Sequence, residues 1–98
     1  PQALFAMNGD IVLKHTRGMA EGLLAQTGVD DSARVREAYE RALARPPAAK
    51  EVDRALTFIA AIENAMEAHE TDAAKRHVFA WQSFCKALMA SNEFIYVN

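Results

Sequence analysis

The sequence has little cysteine: Cys85 is the single one among 98 residues. One cysteine cannot form a disulfide within the chain, and the Cys-x-x-Cys-His motif of covalent haem attachment is absent. A lone thiol fits a cytosolic protein, and it fits equally a secreted helical domain whose core is stable without a cross-link. Cysteine usage therefore leaves the compartment open.

Long hydrophobic runs are also lacking. No apolar run approaches the roughly 20 residues that a helix needs to cross a bilayer, so we predict no membrane span. No signal peptide is visible either. We interpret the abrupt start at Pro1 and Gln2 as that of a fragment from the C-terminal end of a larger protein. We expect residues 1–98 to form a single helical domain.

Neither sign of charge dominates, with 11 basic and 13 acidic side chains and a net charge of −2. Nucleic-acid binders usually carry a marked basic excess, and membrane-surface anchors carry clustered lysine and arginine. The charge balance therefore argues against both classes. Hydrophobic residues make up 51% of the chain, which indicates a globular protein and excludes a disordered one.

Apolar side chains recur at helical spacing along most of the chain, which predicts an all-α fold. We expect a small orthogonal bundle of about four main helices, a short N-terminal helix and an extended C-terminal tail. The main helices are predicted over about 11–26, 32–45, 48–66 and 73–92, with the short helix over 2–8 and the tail over 93–98. Asp10 is expected to cap the first main helix, and Gly28 to end it in the left-handed conformation.

Two consecutive prolines, Pro46 and Pro47, separate the second and third main helices. A proline disfavours the helical conformation of the residue before it, here Arg45, and it lacks an amide donor. Glu51 then falls in the first turn of the next helix, where a carboxylate meets the positive end of the helix dipole. We therefore predict a rigid corner that fixes the angle between two amphipathic helices.

The polar residues 67–77 contain no aliphatic side chain larger than alanine. We predict a connection near Ala68–Asp72, with Thr71 or Asp72 capping the last helix. Because glycine and proline are absent there, a continuous helix remains an open alternative.

Three segments, in order, carry a family resemblance: PQALFAMN at 1–8, ARVREAYERALARPP at 33–47 followed by Glu51, and AWQSFCKALMASNEFIYVN at 80–98. Together they resemble the C-terminal part of a planctomycete surface-protein family associated with cytochrome c domains, whose domain of unknown function is numbered 1553. The chain departs from the family pattern at Ala48, where a serine or threonine is common. The resemblance implies an extracytoplasmic setting, periplasmic or at the cell surface. It implies no chemistry in this segment, because the haem of such proteins belongs to a separate domain.

The side chains that could react or bind a metal are widely spaced. His69, His77 and Cys85 follow each other at intervals of eight residues, and His15 is remote. Eight residues span about 12 Å along a helix, which is too far for a nucleophile and its base. Haem ligation by a histidine with a methionine is chemically possible, but methionines at helical spacing usually fill cores. We therefore predict no catalytic, metal-binding or cofactor-binding residue, and no cofactor in this segment.

Aromatic side chains are numerous for so small a helical core, and Phe58 and Phe79 widen the apolar faces on which they lie. This surplus predicts an interaction face for self-association or for docking on the remainder of the parent chain. The residues assigned to this face are Phe5, Met7, Phe79, Phe94 and Tyr96.

The sequence thus predicts a structural or protein-interaction module of a large extracytoplasmic bacterial protein, without catalysis of its own. Two alternatives stay open. The segment could complete a redox or hydrolytic enzyme whose reactive groups lie upstream. It could also be a DNA-binding helical module that uses Arg34, Arg41 and Arg45, although its partners are expected to include no nucleic acid.

Overall fold

The computed structural model describes residues 9–91. Four α-helices form this part of the chain: α1 (Asp10–Ala25), α2 (Asp31–Leu43), α3 (Ala49–Met66) and α4 (Ala73–Ala90). Residues 9–91 contain no strand, so the predicted all-α bundle of four main helices is confirmed. The short helix predicted over 2–8 and the tail predicted over 93–98 lie outside the described residues. None of the four helices in the described range combines the length and the apolar character that a bilayer crossing requires.

The start of α1 differs from the prediction. Gly9 is the N-cap residue, in an extended conformation, and its carbonyl accepts the amide of Leu13 at 3.1 Å. That bond places Asp10 inside the first turn, so the prediction that Asp10 caps the helix was wrong. Its carboxylate still lies near the positive end of the helix dipole.

The end of α1 is stabilised by an arginine of the next helix. The helix ends at Ala25, and Gly28, at φ +78°, lies in the left-handed region after the helix has ended. Arg34 of α2 donates from Nε to the carbonyl of Leu23 at 2.9 Å and from Nη2 to the carbonyl of Gln26 at 2.7 Å. The guanidinium therefore satisfies carbonyls that the last turn of a helix leaves without partners.

Aspartate side chains cap the N-terminal ends of α2 and α4. The Oδ1 atom of Asp30 accepts the amide of Ala33 at 2.9 Å, and that of Asp72 accepts the amide of Ala74 at 2.9 Å. The predicted break between α3 and α4 is confirmed, with Asp72 as the cap, because α3 ends at Met66 and α4 begins at Ala73. The side-chain caps compete with helix continuation, which explains a break without glycine or proline.

The core lies on the inner faces of all four helices, and α4 packs against each of the other three. Trp81 of α4 is fully buried and meets Phe84 edge to face, with ring centroids 5.9 Å apart; Tyr39 of α2 packs on Phe84 at 6.4 Å. Full burial of a large apolar side chain contributes about 1.5–3 kcal/mol, so this aromatic cluster is a major source of stability. Helical spacing predicts that α4 buries Val78, Trp81, Phe84, Cys85 and Leu88, and the structure confirms this face except at Val78, which is half-buried.

The corner between α2 and α3 begins earlier than the prolines require. Ala44 adopts the left-handed conformation, at φ 56° and ψ 33°, and its amide donates to the carbonyl of Glu40 at 3.0 Å. The helix has therefore ended at Leu43, before the first proline acts. Pro46 and Pro47 then prevent the helix from resuming.

Replacement of Ala44 by glycine should stabilise the domain by about 1 kcal/mol, measured by urea denaturation. A side chain with a Cβ costs about 1–2 kcal/mol in the left-handed region, and the greater freedom of glycine in the unfolded chain offsets part of this gain. Ala60→Gly, at an exposed position within α3, is the matched control and should destabilise by about 1 kcal/mol. Similar losses for both variants would contradict a left-handed Ala44.

Candidate functional site

One ion pair closes the corner between α2 and α3. The Nη1 and Nη2 atoms of Arg45 lie 2.9 and 3.0 Å from Oε1 and Oε2 of Glu51. Oε1 also accepts the backbone amide of Ala48 at 2.8 Å. A bidentate arginine–carboxylate pair is among the stronger hydrogen-bonded geometries. One carboxylate therefore spans the two prolines and caps the first turn of α3, where the methyl of Ala48 cannot accept a hydrogen bond. We call this arrangement the Arg45–Glu51 clamp.

The clamp also contacts the core. The Cζ atom of Arg45 lies over the Tyr39 ring, 5.5 Å from its centroid, at a distance suited to a cation–π interaction. The hydrogen bonds from Arg45 and from the Ala48 amide lower the pKa of Glu51 to about 2. Burial, with the nearby charge of Glu51, raises the pKa of the Tyr39 phenol, and Arg45 offsets part of that rise. The carboxylate is therefore ionised, and Tyr39 neutral, at physiological pH.

An open cleft of about 300 Å³ lies beside the clamp, between α2, α3 and α4. Apolar side chains form most of its wall, and Phe58 keeps 37% of its surface exposed there. Arg54 stands in the same wall, and its Nε atom lies 3.4 Å from the carbonyl of Lys50. We call this the α2–α3–α4 cleft; its lining residues are Tyr39, Glu51, Arg54, Ala55, Phe58, Phe84, Ala87, Leu88 and Ser91.

Three large apolar side chains of α1 and α4 are exposed to solvent. Ile11, Leu13 and Phe79 are 81%, 41% and 44% exposed, although all three are large apolar residues. The two helices are joined by Gln82, whose Nε2 atom donates to the carbonyl of Leu13 at 3.1 Å. Phe79 and Gln82 also line a cleft of about 360 Å³ together with Arg17. We call Ile11, Leu13 and Phe79 the α1–α4 surface.

The predicted interaction face is represented in the described residues by Phe79 alone. Its exposed ring is compatible with the prediction but does not test it. The other four members, Phe5, Met7, Phe94 and Tyr96, lie outside the described residues.

The residues considered for chemistry are dispersed. Cys85 is fully buried in the core, and desolvation raises the pKa of its thiol to about 12, so the sulfur is protonated at neutral pH. His77 is not directed at this thiol: its Nδ1 atom lies 3.0 Å from Oε1 of Glu63 and so joins α4 to α3. His15 and His69 are exposed. Among residues 9–91, no group of three or more His, Cys, Asp or Glu side chains is arranged to hold a metal ion.

The three arginines considered for DNA recognition all have partners within the domain. Arg34 binds the carbonyls at the end of α1, Arg41 pairs with Glu37 one turn away, and Arg45 belongs to the clamp. These side chains have structural roles in the bundle.

Sequence reasoning placed Glu51 at the helix dipole but missed its pairing with Arg45. A signal was present: an arginine directly before the prolines and a glutamate at the third position of the next helix suit a bridge across the turn. The sequence contains no comparable signal for the α2–α3–α4 cleft, because the walls of the cleft come from three helices that are distant in sequence.

Residues 1–59 match the family model described as "PSD1: Protein of unknown function (DUF1553)". The chain belongs to the DUF1553 family. The DUF1553 match includes α1, α2, both prolines and the entire Arg45–Glu51 clamp, and it ends at Ile59 within α3. Neither the curated proteins nor the solved structures include a significant match to the chain. The resemblance observed at residues 80–98 falls beyond the DUF1553 match and stays a prediction.

Glu51→Gln should lower the melting temperature at pH 7 and flatten its dependence on acid pH. The pKa of Glu51 is about 2 in the folded protein, against an ordinary value of 4.5. The stabilisation is therefore complete above the ordinary value and is lost as the pH falls from about 4.5 towards 2. Thermal melts of wild type and variant, recorded at a series of pH values, should converge near pH 2.

Glu21→Gln is the matched control, because Glu21 forms an exposed pair with Arg17 within one helix. Such a pair contributes little, so this variant should follow the wild type at every pH. A constant offset between Glu51→Gln and wild type from pH 7 to pH 2 would contradict the role of the clamp.

Proposed function

We propose that this DUF1553 domain is a non-catalytic protein-interaction module whose partner is the remainder of its parent polypeptide. The supporting observation is the α1–α4 surface, where three large apolar side chains face solvent on helices that are otherwise packed in the core. Exposed apolar side chains mark interaction sites when they adjoin one another; Leu13 and Phe79 lie on the two helices that Gln82 joins, whereas Ile11, two residues from Leu13, lies on a different side of α1.

The chemistry of the described residues supports a non-catalytic role. The one thiol is buried and protonated, and His77 joins two helices through Glu63. Strong pKa perturbation in an active site usually accompanies access to a cleft. Here the most perturbed carboxylate among the described residues, Glu51, lines the α2–α3–α4 cleft, but its lowered pKa comes from the hydrogen bonds of Arg45 and the Ala48 amide, which hold it in the corner between α2 and α3.

The position of the surface supports the choice of partner. Ile11, its most exposed member, stands in the first turn of α1, and the residues just before that helix include Phe5 and Met7. Apolar character thus continues in sequence from the surface towards the N-terminal side of the chain. The neighbouring cleft is lined by three basic residues, Arg17, Lys75 and Arg76, and one acidic residue, Glu70, so acidic groups on the partner would complement its rim.

We also propose that the module works in an extracytoplasmic protein, in the periplasm or at the cell surface, of the planctomycete type associated with cytochrome c domains. This part of the proposal rests on the family resemblance. Cell fractionation followed by detection of the native protein tests the compartment, and recovery of the protein in the cytoplasm would contradict it.

Hydroxyl-radical footprinting of the 98-residue chain and of the longer parent protein should give different oxidation rates at Phe79. We expect the rate at Phe79 to fall several-fold in the parent protein, because the docked partner excludes solvent from the ring. Phe58, exposed in a different cleft, is the internal control and should keep its rate. Equal oxidation of Phe79 in both proteins would contradict the proposal.

A second copy of the chain is the other occupant to be distinguished. Sedimentation equilibrium of the isolated chain reports on this directly. A dimer that is lost in Phe79→Ser and retained in Phe58→Ser would replace the parent chain by a second copy as the partner.

A further inference from the structure

We propose that the α2–α3–α4 cleft is the docking site for residues 92–98 of the same chain, with an aromatic ring of that segment seated against Phe58. The cleft is separate from the α1–α4 surface, so this inference does not depend on the proposed function. The occupant is identified by where the segment starts, by its apolar composition and by its one charged residue.

Residues 92–98 begin at the edge of the cleft. Ser91 lines the cleft and directly precedes the segment. Its amide donates to the carbonyl of Ala87 at 3.0 Å, and its hydroxyl to the carbonyl of Leu88 at 2.9 Å, so two bonds fix the point of departure. An extended residue spans at most about 3.6 Å, which gives Phe94 a reach of about 11 Å from Ser91 and Tyr96 about 18 Å. Both aromatic residues can therefore return to the cleft that Ser91 lines.

The segment and the cleft wall are both largely apolar. The segment reads NEFIYVN, and four consecutive residues at its centre are large and apolar or aromatic. The cleft offers Phe58, Phe84 and Leu88 as an apolar wall, and Phe58 has 37% of its surface exposed. A volume of about 300 Å³ is at the lower end of the range for small-molecule sites. An open cleft of this size suits inserted side chains, and aromatic pairs add about 0.5–1.5 kcal/mol beyond their area burial.

The charge of the segment is opposite to that of Arg54 in the cleft wall. Glu93 is the only charged residue of the segment, two positions after Ser91. Arg54 stands in the cleft wall, and its Nε atom donates a long hydrogen bond, 3.4 Å, to the carbonyl of Lys50. Glu51, the other charged residue of the wall, is held by Arg45. An acidic residue entering the cleft therefore meets a cation whose charge the neighbouring carboxylate does not fully offset.

A double-mutant cycle between Phe58→Ala and Phe94→Ala tests this inference, with a parallel cycle between Phe58→Ala and Tyr96→Ala. The measured quantity is the unfolding equilibrium constant in urea. We expect at least one cycle to depart from multiplicative behaviour by about 3- to 10-fold, because residues in contact lose one shared interaction in either single variant. Phe58 is partly exposed, so Phe58→Ala leaves the buried core intact.

Phe79→Ala is the matched control, since Phe79 is an aromatic residue of similar exposure that lines the other cleft. Its effects should multiply with those of Phe94→Ala and of Tyr96→Ala to within about 2-fold, as expected for distant sites. Multiplicative behaviour in both Phe58 cycles would overturn the proposal. Coupling of equal size in the Phe79 cycles would overturn it as well, since that would indicate a general effect on the bundle.

A further double-mutant cycle, between Arg54→Gln and Glu93→Gln, tests the ion pair expected between these two side chains. We expect a coupling of about 2-fold at low salt that disappears at high salt, as for an exposed ion pair. Sedimentation equilibrium at the same protein concentrations distinguishes docking within one chain from exchange between chains. A dimer that dissociates in Phe58→Ala would overturn the proposal in favour of a second copy as the occupant.

Discussion

The Arg45–Glu51 clamp is the interaction on which the geometry of this domain most depends. Two prolines alone stop a helix, but they leave open the direction in which the next helix starts. The carboxylate of Glu51 binds the guanidinium on one side of the prolines and the Ala48 amide on the other. These hydrogen bonds hold the two sides of the corner together. The guanidinium also lies over Tyr39, which belongs to the buried core. The corner is thereby tied to the packing of α2 against α4.

The other helix termini of the bundle are stabilised in a similar way. Polar side chains near them form hydrogen bonds with backbone groups that have no partner within the helix. Arg34 binds carbonyls at the end of α1, and Asp30 and Asp72 cap α2 and α4. Charged groups of the chain are thus used to end and orient helices. Among the described residues, large apolar side chains also remain exposed on α1, α3 and α4.

Much of the fold could be predicted because it depends on local patterns. The buried face of α4, with Trp81, Phe84 and Leu88, follows from helical spacing, and the break before Ala73 follows from the cap at Asp72. Asp10 was misplaced because a single bond from Leu13 to Gly9 shifts the helix start by one residue. The left-handed Ala44 was missed because alanine rarely adopts that conformation. Such one-residue choices depend on small energy differences that a spacing pattern does not resolve.

The sequence by itself determined that the described residues are helical, that α4 buries the face of Trp81, Phe84 and Leu88, and that the chain turns at Pro46 and Pro47, because periodicity and backbone restriction act over a few neighbouring residues. It also determined that the residues suited to chemistry are sparse and far apart. Tertiary structure alone decided that His77 faces Glu63, and that Tyr39, Phe58 and Ser91 share one cleft. These contacts join residues of different helices, so they exist only after the helices have packed at definite angles.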